Sequence, residues 1–182
     1  QMETDFSVRA YSRYGGMEEP LEETLRSFAA HAPAEAHLIV KVHPLDPCLK
    51  RWGWRLRALA RRVGIADRVH LAHHGALDAM LAGARGLITV NSTVGLRAIV
   101  LNCPAKALGD AVWNVPGLAH QGALDAFWTA GAPPDRPLRE DFLAALQATT
   151  QIRGVFYAKE GRAIAVAETV RRLREGRVGV PI

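Results

Sequence analysis

The sequence predicts an α/β fold in which a Rossmann-like parallel sheet is flanked by helices. Two observations predict it: four short apolar runs are separated by amphipathic segments, and each run ends at turn-forming or helix-starting residues. Strands that alternate with helices at this spacing form βαβ units, whose strands are parallel. The predicted strands are residues 37–42, 68–71, 86–90 and 105–108.

The helices are predicted from apolar residues that recur three or four positions apart. Residues 17–32 begin with glutamates, which favour a helix N-terminus, and the second helix covers residues 47–63 and is closed by Gly64. Further helices are predicted at residues 75–82, from 93 or 94 to 101, at 138–149 and at 160–175. Between them, residues 111–137 are rich in loops, and long irregular stretches are often functional.

The length of 182 residues suits one ordinary domain. We predict a connecting segment at residues 1–16, a Rossmann-like domain at 17–150 and a C-terminal helical extension at 151–182. Because the chain begins with Gln1 and holds one Rossmann-like unit, we expect it to be a piece of a longer protein.

The composition is that of a soluble globular protein, with 49% hydrophobic residues, 23% charged residues and a net charge of +5. No apolar stretch approaches the ~20 residues of a membrane span, and no signal peptide is recognisable, so a cytoplasmic location is predicted. The glycine signature G-x-G-x-x-G is missing from every strand end, and no G-x-x-x-x-G-K-[ST] occurs. These absences argue against a nicotinamide or flavin oxidoreductase and against a P-loop NTPase.

Polar motifs follow two of the predicted strands. His43 and Pro44 follow the first strand, and Asn91, Ser92 and Thr93 end the third. Residues that end parallel strands converge on one crevice, so the two motifs could share one ligand. Proline fixes the backbone after His43, whereas hydroxyls and free N–H groups at a helix start suit a phosphate.

Gly95 would let such a ligand approach closely. The alternative is that Ser92 and Thr93 only cap a helix and that His43 is an ordinary loop residue.

Two other groups of residues could suggest different functions. The segment 50–62 is rich in arginine and tryptophan, which could form a basic helix face for anionic lipid or nucleic acid, or a solvated helix packed on the sheet. No nucleic-acid-binding motif accompanies it, so nucleic acid is not predicted as a partner. His70, His73 and His74 lack the further ligands of a metal site, so no metal is predicted, although they could line the cleft.

The motifs resemble those of the bacterial capsular polysaccharide synthesis and export family. The resemblance covers residues 38–130 and is carried by four segments: Lys41-Val42-His43-Pro44, Asn91 to Leu96, Leu108-Gly109 and Val115 to Gly122. Characterised members resemble Kdo transferases that use CMP-Kdo. The resemblance implies the C-terminal half of a GT-B glycosyltransferase, which holds the CMP-sugar donor, and the domain at 17–150 would then bind a nucleotide sugar.

The resemblance also implies roles for individual residues. His43 would contact the phosphate or ribose with Pro44 as its support, and Ser92 and Thr93 would contact the phosphate. His120 and Gln121 would lie near the cleft, whereas Arg97 stands where many GT-B enzymes carry a ribose-binding glutamate. The hydroxyls, His43 and the helix dipole would stabilise the leaving group, with no metal cofactor.

The resemblance further implies partners. The acceptor would be lipid-linked or a glycan, and the catalytic residue, which is not assigned, would come from an N-terminal GT-B domain that this chain lacks. Contact with the inner-membrane surface is a possible corollary. The alternative function is a noncatalytic capsule assembly or export module that retains a nucleotide-binding fold.

Overall fold

The computed structural model describes residues 1–176 apart from 3, 48, 153 and 156. Cys48, the tail after residue 176 and part of the predicted C-terminal extension lie outside the described residues. The chain divides into two compact units, Gln1–Asp135 and Arg136–Ile182. The sequence-based domain limits at residues 16 and 150 stay a prediction.

Helices and strands alternate through the first unit. In chain order the elements are α1 (Phe6–Ala10), α2 (Glu18–His31), β1 (Leu38–Lys41), α3 (Trp52–Arg62), β2 (Val69–Ala72), α4 (Leu77–Gly83), β3 (Leu87–Thr89), α5 (Val94–Val100), β4 (Ala105–Ala107) and α6 (Leu124–Ala130). The second unit contains α7 (Arg136–Thr149) and α8 (Lys159–Arg174). The α/β class predicted from the sequence is therefore confirmed.

All strand pairing within the described residues is parallel. β1 pairs with β2, with Lys41 opposite Ala72, and β3 pairs with β4, with Ile88 opposite Lys106. The sequence predicts one sheet, whereas the described residues form two separate two-stranded sheets. The strands are only three or four residues long, so each pair is held by few backbone hydrogen bonds and gains most of its stability from the helices packed on it.

The main apolar core lies between the first strand pair and two helices. Leu25 and Phe28 of α2 pack with Leu56 and Ala60 of α3, and all four are buried. Partly buried residues of β1 and β2 complete this cluster, and the last of them, Val40 and Leu71, stand one residue before the ends of their strands.

Residues 1–16, predicted as a connecting segment, pack against the second strand pair. Val8 and Tyr14 are buried and form a small cluster with Val90, which directly follows β3. The short helix α1 lies within this segment. The segment thus covers the region where β3 ends.

Candidate functional site

A tight turn follows β1 and fixes the position of His43. The backbone N–H of Asp46 donates to the carbonyl of His43 at 3.0 Å, which closes a four-residue β-turn with Pro44 in its second position. Proline is favoured there because its φ is already set. The turn that the sequence predicts after β1 is present.

The imidazole of His43 is held by the same turn. The backbone N–H of Leu45 donates to Nδ1 of His43 at 3.1 Å. Since Nδ1 accepts this bond, the proton of the neutral ring must reside on Nε2. His43 therefore presents Nε2 as a hydrogen-bond donor, which is the property that phosphate recognition requires.

A cavity of about 400 Å³ opens beside this turn. Its lining comes from the ends of β1 and β2 and comprises Lys41, Val42, His43, Pro44, Asp46, His73, His74 and Gly75. We call it the His43 cavity. Parallel pairing of β1 with β2 brings the two strand ends side by side, which explains why two loops distant in sequence share one lining.

Lys41 was not singled out as a site residue from the sequence, although it lies in the same motif as His43. Its Nζ donates to the carbonyls of Val42 at 2.9 Å and His73 at 3.0 Å. An ammonium group has three donors, so a third N–H is left for a ligand in the cavity. Lys41 thus joins the two loops and adds a positive charge to the lining.

His73 and His74 line the cavity, as the sequence suggested they could. His70 does not belong to this group, because its ring stacks on His37 with Nε2 2.9 Å from Nδ1 of His37. Among the described residues there is no group of three or more potential metal ligands. The expectation of a reaction without a metal cofactor stays a prediction.

The end of β3 is built differently. Ser92 Oγ accepts from the N–H of Val94 at 3.2 Å, and the Ser92 carbonyl accepts from the N–H of Gly95 at 3.0 Å. Thr93 is exposed at the start of α5. The Ser92 hydroxyl therefore bonds to the first residue of α5, whereas Thr93, the N-cap residue, makes no side-chain capping bond.

Gly95 is required by packing. A Cβ on Gly95 would overlap ring carbons of Trp113, which is fully buried. The indole N–H of Trp113 also donates to the Ser92 carbonyl at 3.0 Å. Trp113 therefore packs against the turn and bonds to it. The sequence does not predict this contact, because Trp113 lies 18 positions after Gly95 in the chain. A role of Gly95 in ligand approach stays a prediction.

Asn91 binds the N-terminal segment. Its side-chain Nδ2 donates to the carbonyls of Ser7 at 2.7 Å and Tyr11 at 3.3 Å. Its Oδ1 accepts from the side chain of Gln1 at 2.6 Å. The three bonds tie the end of β3 to α1 and leave the Asn91 amide engaged with protein groups.

His120 and Gln121 lie in the loop between β4 and α6. The His120 ring packs on Phe127 at 5.5 Å, and its Nε2 is buried without a hydrogen-bond partner among the described residues. Gln121 is exposed and donates to Asn114 and to the Ala119 carbonyl. Neither residue is among those that line the His43 cavity. Their place near a cleft stays a prediction.

Lys106 of β4 forms hydrogen bonds with this loop. Its Nζ donates to the carbonyls of Gly122 at 2.7 Å and His120 at 3.3 Å. Burial lowers the pKa of Lys106 from its usual value. A lysine between alanines in a short apolar strand is the sequence signal that could have marked this role.

Arg97 is paired within the protein. Its guanidinium donates to both carboxylate oxygens of Asp78 on α4, one of them at 2.7 Å. Hydrogen bonding from Arg97 lowers the pKa of the Asp78 carboxyl. The pair is exposed and joins α4 to α5.

A second, larger hollow of about 590 Å³ has the wrong charge for an anionic ligand. It lies between α2 and α6 and is lined by Glu19, Glu22, Glu23, Arg26, Ser27, His31, Leu124 and Asp125. Its lining holds four carboxylates and one arginine, so it is more negative than the lining of the His43 cavity, which holds one carboxylate and one lysine. The His43 cavity is therefore the better candidate for an anion.

Fold and site together define an α/β protein with a cavity lined by one lysine and three histidines at the carboxyl ends of parallel strands, a common position for ligands in such folds. Residues 1–157 match the family described as capsule polysaccharide biosynthesis protein, and the chain belongs to that family. The family predicted from the motifs is thereby confirmed.

Curated relatives carry related names. The chain is 32% identical over 157 residues to the capsule polysaccharide export protein KpsS of Escherichia coli, covering 86% of this chain and 40% of the relative. It is 34% identical over 160 residues to the capsule polysaccharide modification protein LipB of Neisseria meningitidis serogroup A, covering 87% and 38%.

A shorter match joins the chain to the protein FixF of Sinorhizobium fredii, with 33% identity over 94 residues, which is 49% of this chain and 23% of the relative. No solved structure matches the chain significantly. The chain thus spans about 40% of the length of the first two relatives.

Proposed function

We propose that this chain is the donor-binding portion of a capsular polysaccharide glycosyltransferase of the GT-B type that uses a CMP-sugar. The proposed sugar is Kdo, and the proposed acceptor is lipid-linked or a glycan. Membership of the capsule polysaccharide biosynthesis family supports a role in making the capsule polysaccharide. The donor class is carried over from the motif resemblance and is supported by the chemistry of the His43 cavity.

The observation that carries the proposal is the fixed imidazole of His43. The bond from Leu45 leaves Nε2–H as a donor in a cavity that also receives Lys41. A preoriented donor and an adjacent ammonium can bind the CMP phosphate without reorganising when negative charge grows on it. Such preorganised groups stabilise a departing phosphate more than water does.

The proposed chemical step is the loss of CMP from the donor sugar. As the glycosidic bond breaks, negative charge grows on the phosphate and the sugar acquires oxocarbenium character. His43 and Lys41 would stabilise the phosphate, and Ser92 and Thr93 remain proposed phosphate contacts. In the proposal, the group that activates the acceptor comes from the other GT-B domain of the longer protein.

The direct test of donor binding is calorimetric titration of the 182-residue chain with CMP, UMP, UDP and ADP. We expect selective CMP binding. His43→Ala should weaken CMP binding about 10- to 100-fold, which is the effect of losing one hydrogen bond to a charged group. His70→Ala is the matched control, because His70 is exposed and lies outside the cavity. Both variants should keep the free energy of unfolding of the parent within about 1 kcal/mol.

Three results would contradict the proposal. Preference for UDP would indicate another class of donor. Equal binding of all four nucleotides would show that the chain does not select CMP. Equal effects of His43→Ala and His70→Ala would show that CMP does not bind at His43. In the longer protein, His43→Ala should also abolish sugar transfer while the fold is kept. Unchanged transfer and unchanged capsule output would instead favour a noncatalytic assembly or export module.

A further inference from the structure

Helix α3 presents three sides with different surroundings. Leu56 and Ala60 face the core and are buried. On one flank, Arg55 and Arg62 form ion pairs with Glu18 and Glu22 of α2. The positive charge of this flank is therefore neutralised within the protein.

The outer side of α3 combines arginines with an exposed tryptophan. Trp54 is 67% exposed, and Arg57 and Arg61 follow at positions that share its side of the helix. Within the part of the chain that the structure describes, neither arginine takes part in an ion pair. This side therefore carries positive charge that the protein itself does not balance.

The loop before α3 carries exposed apolar side chains. Leu45 is 75% exposed and Leu49 is 85% exposed. Arg51, also exposed, stands directly before the helix in a left-handed conformation with φ 48°. Two exposed leucines in one short loop provide apolar area that is available for contact with another surface.

The same loop belongs to the His43 cavity. Asp46 lines the cavity and accepts a hydrogen bond from the indole N–H of Trp52 at 3.2 Å. Leu45 is part of the turn that holds His43. A surface that contacts this loop would thus lie next to the cavity.

We propose that this surface, formed by Leu45, Leu49, Arg51, Trp54, Arg57 and Arg61 and called here the α3 basic surface, docks onto a bilayer that contains anionic lipid. Its charge is complementary to anionic headgroups, and a tryptophan with two leucines can enter the headgroup region. Exposed leucines favour lipid over nucleic acid, because phosphate contacts and base stacking do not need aliphatic side chains.

This inference does not depend on the donor proposal, because docking needs neither nucleotide nor sugar. None of the helices among the described residues is long and apolar enough to cross a membrane. Contact through the α3 basic surface would be peripheral, and it would place the His43 cavity beside the lipid, where a lipid-linked acceptor resides.

The test is cosedimentation of the 182-residue chain with vesicles of phosphatidylcholine alone or with one quarter phosphatidylglycerol. We expect binding to the anionic vesicles, release by added salt, and a blue shift of Trp54 emission that Trp54→Ala removes. Each arginine near an anionic surface contributes about fivefold to the partition coefficient, so Arg57→Glu should lower it at least that much.

Arg85→Glu is the matched control, since it changes the net charge equally but lies before β3, next to Glu35 at the opposite ends of the strands. It should lower binding about twofold at most, because exposed charges farther away than ~10 Å are screened. Trp54, Arg57 and Arg85 are exposed, and unchanged circular dichroism melting curves will show that the fold is kept.

Several outcomes would overturn the inference: equal binding to both vesicle types, equal losses for Arg57→Glu and Arg85→Glu, or binding to a DNA duplex without binding to vesicles. A chain that binds anionic vesicles but not CMP would contradict the donor proposal alone. A chain that binds CMP but not vesicles would contradict this one alone.

Discussion

The ends of β1 and β3 have similar motifs in the sequence but different surroundings in the structure. After β1, His43 and Lys41 border a cavity, and their contacts leave donors for a ligand. After β3, Ser92 and Gly95 are packed beneath Trp113, and Asn91 is bonded to the N-terminal segment. The comparison teaches that similar motifs at two strand ends can differ in how many of their polar groups are already engaged by the protein.

The largest effect is expected when one methyl group is added to Gly95, just after β3. Gly95→Ala should destabilise the protein by about 3 kcal/mol or more, because the new Cβ overlaps the buried indole of Trp113. The measurement is urea unfolding followed by circular dichroism. Gly83→Ala in α4 is the matched control, since a Cβ there has no neighbour within 4 Å. It should be neutral or slightly stabilising, and equal stability of both variants would refute the packing role of Gly95.

A second effect concerns the bonds of Asn91. Asn91→Ala should cost about 2 kcal/mol, because two backbone carbonyls of the N-terminal segment lose their donor. Asn114→Ala, which removes a bond to the exposed Gln121, should change stability by less than ~0.5 kcal/mol. The same unfolding experiment measures both. If Asn91→Ala is as mild as Asn114→Ala, the end of β3 is less firmly held than we describe.

A third prediction is that the free energy of unfolding depends on pH through Lys106 of β4. Burial lowers the pKa of Lys106, so below its usual value of 10.5 there is a range where the unfolded chain holds a proton that the folded protein has released. Stability should therefore rise with pH in that range. Lys106→Met should remove this rise in unfolding experiments at increasing alkaline pH, whereas Lys159→Met, at an exposed position, should keep it. A rise that survives in Lys106→Met must come from another group.

The smallest effect is expected at the exposed pair that joins α4 to α5. The Arg97 guanidinium lowers the pKa of Asp78, so this carboxyl should titrate below its usual value of 3.8 in NMR-detected pH titration. The stabilisation from the pair is present above that value and is lost as the pH falls through the lowered pKa. Arg97→Met should return the titration to the usual range, whereas Arg26→Met, which affects Glu22, should not. An unchanged titration in Arg97→Met would show that the pair does not persist in solution.

Local features of the fold could be predicted because they depend on neighbouring residues. Apolar periodicity located the four strands and most helices to within a few residues. The start of α3 was misplaced, since it begins at Trp52 after a turn, and neither α1 nor α6 was assigned, because they lie in segments predicted as a connection and as loops. Pro44 predicted the turn after β1, since proline restricts the backbone on both sides. The motif order predicted the family, which the match over residues 1–157 confirms.

Contacts between distant residues could not be predicted in this way. The bond between Lys41 and His73 exists only because β1 and β2 pair in one register, and the sequence does not state that register. The fit of Trp113 over Gly95 likewise depends on the path of a loop. Whether Ser92 and His43 reach the same ligand remains a prediction that nucleotide titration can test.

The fit between Gly95 and Trp113 has a consequence for how these proteins can change during evolution. A larger residue at position 95 is tolerable only after the indole has been replaced by a smaller side chain, because both cannot occupy the same volume. The two positions should therefore covary among relatives, and Gly95→Ala combined with Trp113→Leu should be less destabilised than the sum of the single changes. Once Trp113 has been replaced by a smaller residue, substitutions of Gly95 that were previously excluded become tolerable.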